Sequence, residues 1–343
     1  MLQPNGKEDN QRHGPGREPA AGFKTSSYWL ETVKPAPDLP ADPLGKVDCV
    51  VVGSGYTGLS AAIEIARGGR SVMVLDSGDP GSGCSTRNGG QISTSIKPSV
   101  NALAQKHGLE RARAIRSEGQ TALDWIEDFV AGEQIDCDFN RCGRFHAAHA
   151  PRQFEQLVEQ SRQLRSEGIE AQVVSRHEQH TELGTDAYYG GVVFPRHASV
   201  NAAKLHRGFL QAALGAGVHV TPNCTVTGIV KNQAGFHVET ERGAVSARDV
   251  VVATNGYTSA LTPWMQRRVI PFRGLMIATE ELPEDKLHKI LPQDRTVHDF
   301  NNNLTYLRRA PDSNRLLFGG RTGFMSDDGL KIARNLHARM SQI

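Results

Sequence analysis

The spacing of apolar and polar residues divides the chain into two regimes. The first is short and regular. Val47–Val52 is almost wholly apolar and stops at a glycine, as a strand buried on both faces would. Leu59, Ala62, Ile63 and Ala66 then recur at helical spacing within 59–67, Gly68-Gly69 ends that helix, and 71–75 is a second apolar strand. These pieces make one βαβ unit.

The alternation then stops. A glycine- and serine-rich stretch runs from Ser77 to Gly90, and helical segments follow between about 100 and 130, the last carrying Ala122, Leu123, Trp125, Ile126 and Phe129. The pattern predicts a strand over 138–150, a polar helix over 151–168, a strand over 171–175 and a helix within 195–215. Beyond this the chain turns β-rich, with strands expected at 218–220, 224–230, 235–240, 249–253 and 268–279. A hairpin is expected from 304–309 and 315–320 around the turn "APDSN", and an amphipathic helix after Asp327 carries Leu330, Ala333, Leu336 and Met340.

Length and charge narrow the classes. The 343 residues allow two domains or one composite unit, and 39 Lys+Arg against 37 Asp+Glu leave no electrostatic footprint for nucleic acid. The run "RARAIR" at 111–116 reads as a solvated helix face. No apolar run reaches the roughly 18 residues of a membrane span. The N-terminus is polar without an apolar core, so residues 1–26 read as a flexible tail. Cysteines at 49, 84, 137, 142 and 224 form neither a disulfide framework nor a zinc pattern, and that usage suits a reducing cytoplasm. "HEQH" at 177–180 is one residue short of the i, i+4 zinc spacing, no G-x-S-x-G appears, and no metal is expected.

The chemistry lies in the glycines. Gly53-Ser54-Gly55-Tyr56-Thr57-Gly58 is G-x-G-x-x-G between a strand and a helix. Its first glycine permits the turn, its second lets backbone approach a pyrophosphate, and its third lets the helix pack against the strand. The helix start presents free N–H groups and partial positive charge to that anion. Asp76 ends the second strand, where a carboxylate holds ribose hydroxyls and disfavours a 2′-phosphate. A nicotinamide domain would continue as strand–helix units, so the broken alternation argues against an NAD-dependent dehydrogenase. The loop 77–90 suits a large planar cofactor, with Gly89 and Gly90 allowing close approach and Arg87 and Asn88 supplying donors; an ordinary surface loop is the alternative.

With the fingerprint, the stretch "STRNGGQ" resembles the D-amino-acid-oxidase-like superfamily of FAD oxidoreductases, in particular the branch that contains γ-glutamylputrescine oxidase. "SYW" at 27–29, "VVVATNGYT" at 250–258 and "LTYLRRAPDSNRLLFGGR" at 304–321 extend the resemblance over most of the chain. It implies an α/β fold: a Rossmann-like, glutathione-reductase-like FAD domain from 27–135 and 195–262, interleaved with an α+β substrate domain on an antiparallel sheet from 136–194 and 263–343. It further implies that Gly53, Ser54, Gly55 and Gly58 cradle the pyrophosphate and Asp76 the ribose, that Arg87, Asn88, Gly89 and Gly90 line pyrophosphate and isoalloxazine, that Val226 meets adenine through its backbone, and that Ala253 and Thr254 border the cofactor. Relatives continue beyond the helix at 328–341, so the chain reads as lacking a C-terminal piece, and an inactive remnant is the alternative to an enzyme. The implied reaction is oxidation of a C–N bond in a small amine or amino-acid derivative, with O₂ or another acceptor taking the electrons. No lysine stands in the 304–321 hairpin to favour O₂.

For the substrate, Leu304, Tyr306 and Arg308 share one strand face. Tyr306 could offer a hydroxyl and Arg308 a bidentate carboxylate clamp, with Arg273 as a second cation; structural ion pairs and ordinary strand packing are the alternatives.

Overall fold

The computed structural model describes residue 20 and residues 22–271, 273–299, 304–323 and 328–343; residues 1–19 of the expected tail lie outside them. A short 3₁₀ turn at Tyr28–Thr32 precedes β1 (Lys46–Val52), α1 (Tyr56–Arg67) and β2 (Val72–Leu75), the expected βαβ unit. After the loop and a two-residue β3 (Gln91–Ile92) come α2 (Val100–His107), capped by Ser99, and the long α3 (Leu109–Gly132). Next are β4 (Arg144–Ala147), α4 (Pro151–Ser166), β5 (Gln172–Val174), β6 (Gly191–Phe194) and β7 (Ala198–Ser199). The Asn201 side chain accepts from the amides of Ala203 and Lys204 to start α5 (Ala202–Gly215). Then follow β8 (His219–Thr221), β9 (Val226–Asn232), β10 (Gly235–Thr240) and β11 (Gly243–Val252). The chain continues through α6 (Pro263–Gln266), β12 (Arg273–Ala278), α7 (Glu284–Ile290), β13 (Thr296–Asp299), β14 (Thr305–Arg309), β15 (Leu316–Gly323) and α8 (Gly329–Met340).

The strands form two large sheets. The first has the order β8-β2-β1-β11-β10-β9, parallel through β11 and then closed by an antiparallel meander. Its central strands are apolar on both faces because both are covered. Cys49, Val51, Val72 and Val74 pack with Leu59, Ala62 and Ile63 of α1 and with Leu205, Phe209 and Leu210 of α5. Val50, Val52, Met73 and Leu75 pack with Val226, Val238 and Val245 of the meander. Phe129 stacks on Phe209 with ring centroids 4.5 Å apart and ties α3 to this core. Each such buried side chain contributes about 1.5–3 kcal/mol.

The second sheet has the order β12-β15-β14-β13-β4-β6-β5. It is antiparallel except where β13 runs parallel to β4. That one parallel pair stands within the expected antiparallel sheet, because two segments about 150 residues apart become neighbours. The strand expected over 138–150 is shortened to Arg144–Ala147, since Asp138 at φ 53° and Gly143 at φ 73° turn the chain before it. β11 begins earlier than expected, and β12 begins later because α6 occupies the residues before it. β6, α7 and β13 were not expected from the pattern.

Candidate cofactor and substrate site

The turn after β1 is made of backbone in contact with backbone. Gly53 has φ 104°, and a Cβ there would lie 2.7 Å from the Ala253 carbonyl oxygen. A Cβ on Gly58 would lie 1.9 Å from the Gly53 oxygen. Both positions therefore exclude any larger residue. Helix α1 starts with Gly55 as its cap, which has no side chain to bond the helix's first amides; a helix start of this kind offers N–H donors to an anion.

Ser54 is fully buried, and its amide and hydroxyl both donate to one oxygen of Asp76, at 2.7 and 2.6 Å. The other Asp76 oxygen accepts from the Gly78 amide at 3.0 Å. A carboxylate has about four acceptor positions, so one remains open at the end of β2. The Ser54 carbonyl can only accept, so His206, 2.7 Å away, donates from Nε2; burial lowers its pKa and keeps the ring neutral.

The segment 84–90 folds against this turn. Ser85 Oγ accepts from the Tyr56 amide at 3.1 Å, and it is the nearest atom to a Cβ placed on Gly55. The two glycine-rich stretches thus share one cleft. Asn88 closes the loop on itself: its amide nitrogen donates to the carbonyls of Cys84 and Ser85, and its oxygen accepts from the Gly90 amide. Trp29, wholly buried, donates from Nε1 to the Asn88 carbonyl at 2.7 Å. Gly90 has φ 62°, and a Cβ there would meet the Val200 carbonyl at 2.3 Å and Arg308 Nη1 at 2.8 Å.

Two residues therefore depart from their expected parts. Arg308 is only 4 % exposed, and its Nη1 donates to the carbonyls of Gly90 and Val200 at 2.7 and 2.8 Å, while Nε reaches the Arg309 carbonyl. It clasps the loop to the hairpin instead of aiming a fork at a substrate, because two buried carbonyls need donors. The Asn88 side chain is likewise engaged within its own loop. Arg87 is exposed; its amide donates to the Cys84 carbonyl at 3.2 Å, and its side chain makes no hydrogen bond among the described residues. Ala253 and Thr254 follow β11 beside Gly53, as the Ala253 amide on the Val52 carbonyl requires. The Val226 side chain belongs to the meander core, and the neighbouring Cys224 amide bonds the Asp76 carbonyl at 2.7 Å. Arg273 heads β12, and its side chain lies outside the described residues.

Tyr306 lies flat against the loop: a Cβ on Gly89 would come 3.0 Å from its ring, and one on Gly319 would collide with it. Burial raises its hydroxyl to about 12, so it stays protonated. A cavity of about 530 Å³ adjoins it, lined by Gly274, Leu304, Tyr306, Gly320 and Arg321. The pattern did not point to Ser85 or His206, whose roles depend on contacts far along the chain. Among the described residues no cluster of His, Cys, Asp or Glu is suited to a metal, all five cysteines are free, and no helix is long and apolar enough to cross a membrane.

Comparison with known proteins decides among the dinucleotide readings. The family model of DAO-type FAD-dependent oxidoreductases matches residues 48–343. The chain belongs to the DAO family. Gamma-glutamylputrescine oxidoreductase of Escherichia coli is 32% identical over 86% of this chain and 70% of its own length. The probable oxidoreductase OrdL of Rhizobium meliloti is 29% identical over 92% of this chain and 74% of its own. Glycine oxidase from Geobacillus kaustophilus has the same fold, with a TM-score of 0.66 at 21% identity, covering 88% of this chain and 78% of that one. As a DAO-family member the protein is an FAD-dependent oxidoreductase, and the nicotinamide reading falls away. The residues present fit that cofactor: glycines where a Cβ would strike backbone, a start to α1 whose cap residue has no side chain, and a carboxylate with one acceptor position open.

Proposed function

We propose that this enzyme oxidises the C–N bond of a small amine or amino-acid derivative of the γ-glutamylputrescine kind. The observation that carries the reading is the meeting of the 53–58 turn and the 84–90 loop through Ser85, with Tyr306 packed against Gly89. The similarity to gamma-glutamylputrescine oxidoreductase over most of the chain supports the substrate class. Gly53, Ser54, Gly55 and Gly58 with the start of α1 would hold the diphosphate, Asp76 the ribose, and Gly89 and Gly90 the ring system, with Ala253 and Thr254 at its border. The chemistry supplied by bound FAD is acceptance of a hydride from the carbon bearing the nitrogen, and the imine left behind hydrolyses to a carbonyl compound. The chain's own contribution is binding and exclusion of water. Trp29 and Arg308 fix the loop, and the neutral Tyr306 hydroxyl closes the pocket without offering a base.

The test is a flavin spectrum of the purified protein, followed anaerobically while amines are added. Bleaching by an amine, then recovery on admitting air or another oxidant, is the expected result and identifies the acceptor. Protein that stays colourless after incubation with FAD would overturn the reading.

A further inference from the structure

We propose that Arg144, His146 and His298 form an anion subsite of the substrate pocket, which takes a carboxylate at the end of the substrate remote from the oxidised C–N bond. The inference rests on the amine-oxidising reading for the position of that bond, and on the geometry of the second sheet for everything else. In the sheet register His146 lies opposite His298, and His298 opposite Tyr306, so all three side chains rise from one face in a single row. The imidazoles of His146 and His298 have centroids 4.8 Å apart. Arg144 precedes His146 by two residues on β4 and shares the face. Two strand spacings separate His146 from Tyr306, so the row runs roughly 10 Å from the flavin-side loop.

The surroundings of the row are cationic. Arg144 donates to the hydroxyls of Ser93 and Ser95 at 3.1 and 3.2 Å, and these are neutral partners. His197, from the turn after β6, meets Thr94 Oγ1 at 3.3 Å. Behind that strip stands α3, where a Cβ on Gly119 would strike the Thr94 carbonyl. The charged groups acting on His298 are Arg144, Lys97 and Arg321, and those acting on His197 are Arg144 and His298. His298, Arg144, Lys97 and His197 act on His146. No carboxylate among the described residues figures in the field at His197 or His298. Arg144 Nε and His298 Nδ1 are buried and have no hydrogen-bond partner among the described residues. A guanidinium, two imidazoles and a lysine around a strip of neutral hydroxyls, with an arginine N–H left over, call for an anion. Among the described residues no group of His, Cys, Asp and Glu there is suited to a metal. The cavity beside Tyr306 is lined on the same face by Leu304 and Arg321, on the side of Tyr306 away from His298. A ligand that spans the row from Tyr306 to Arg144 is an elongated ω-amino carboxylate, with its amine near Tyr306 and its acid at Arg144.

The test compares 8-aminooctanoate with 8-aminooctanamide, which are alike in length and differ in charge, as reductants of the flavin in the full-length holoenzyme. The acid should have a KM roughly tenfold lower than the amide, and Arg144→Gln should erase that preference with kcat nearly unchanged, because a lost charged hydrogen bond is worth about a decade. His298→Phe gives an independent reading should Arg144→Gln fold poorly. A readout that needs no turnover is NMR of the histidine rings. Octanedioate should raise the titration points of His146 and His298 by roughly one pH unit through the added negative charge, and the Arg144→Gln protein should lose the effect. Equal KM values for acid and amide, with the ring signals unmoved by octanedioate, would overturn the subsite. Ring signals that move while no amine bleaches the flavin would leave the subsite standing and sink the oxidation reading.

Discussion

Gly58→Ala is the sharpest probe of the nucleotide turn. The new Cβ would lie 1.9 Å from the Gly53 carbonyl oxygen, and contacts under 3.0 Å are not sustained, so α1 and the turn must part by about 1.1 Å. Neither side yields easily. β1 is paired on both edges, and α1 is anchored by the buried Leu59, Ala62 and Ile63. Overpacking of this kind costs about 1–3 kcal/mol, against which alanine in a helix regains about 1 kcal/mol over glycine. The net loss of stability is then small, about 0–2 kcal/mol. The loss in cofactor binding is larger, because the first amides of α1 move with the helix. One hydrogen bond to a charged group is worth about 1.5–3 kcal/mol, so FAD should bind at least roughly tenfold more weakly. Quenching of flavin fluorescence on titrating apoprotein measures this. Gly69→Ala is the control at the other end of the same helix. Its φ of 80° makes alanine strained by about 1–2 kcal/mol, yet nothing lies within 4 Å of the new Cβ. It should lower stability similarly and leave FAD affinity intact. Gly58→Ala protein that binds FAD as tightly as the parent, or a Gly69→Ala protein that loses as much affinity, would refute the reasoning.

Other substitutions report on the clasp around the loop. Trp29→Ala removes a wholly buried indole and the donor to the Asn88 carbonyl, and should cost about 3–5 kcal/mol in denaturant unfolding. Arg308→Met removes the arginine donor from the Val200 carbonyl and one of two donors from the Gly90 carbonyl, which keeps the Val200 amide; about 1–3 kcal/mol should be lost, together with flavin retention on gel filtration. Stability should also fall in mild acid. Burial holds His197 and His298 at about 3 and His146 well below its usual value. The unfolded chain therefore binds more protons, so the contribution is complete above about 6.5 and is lost as pH drops toward 3. Thermal melts between those limits should show midpoints falling with pH, and His298→Phe should flatten the slope.

Much of the first sheet was legible in the sequence because its cues are local. An unbroken apolar run means burial on both faces, and the glycine spacing places the turn within a few residues. The second sheet was less so. β6 is a four-residue run and β13 contains a histidine and an aspartate, so neither carries a period long enough to stand out. Their pairing with β4 is non-local. Arg308 shows the same limit at one residue. Its face on the strand followed from alternation with Tyr306, but what it meets is the Gly90 carbonyl 218 positions earlier, which no local pattern encodes. In the sequence Asn88 reads as a donor to a ligand, because composition reveals the amide and not the turn that consumes it.

The clasp on the 84–90 loop also orders events in time. Trp29 leaves the ribosome before the loop does, whereas Arg308 follows Gly90 by 218 residues. At cellular elongation rates that interval is roughly 10–40 s. Through it the βαβ unit can gather its core while the Gly90 carbonyl still waits for its arginine. A flavin captured in that window would be held by the diphosphate turn alone and would become secure only when the late hairpin docks.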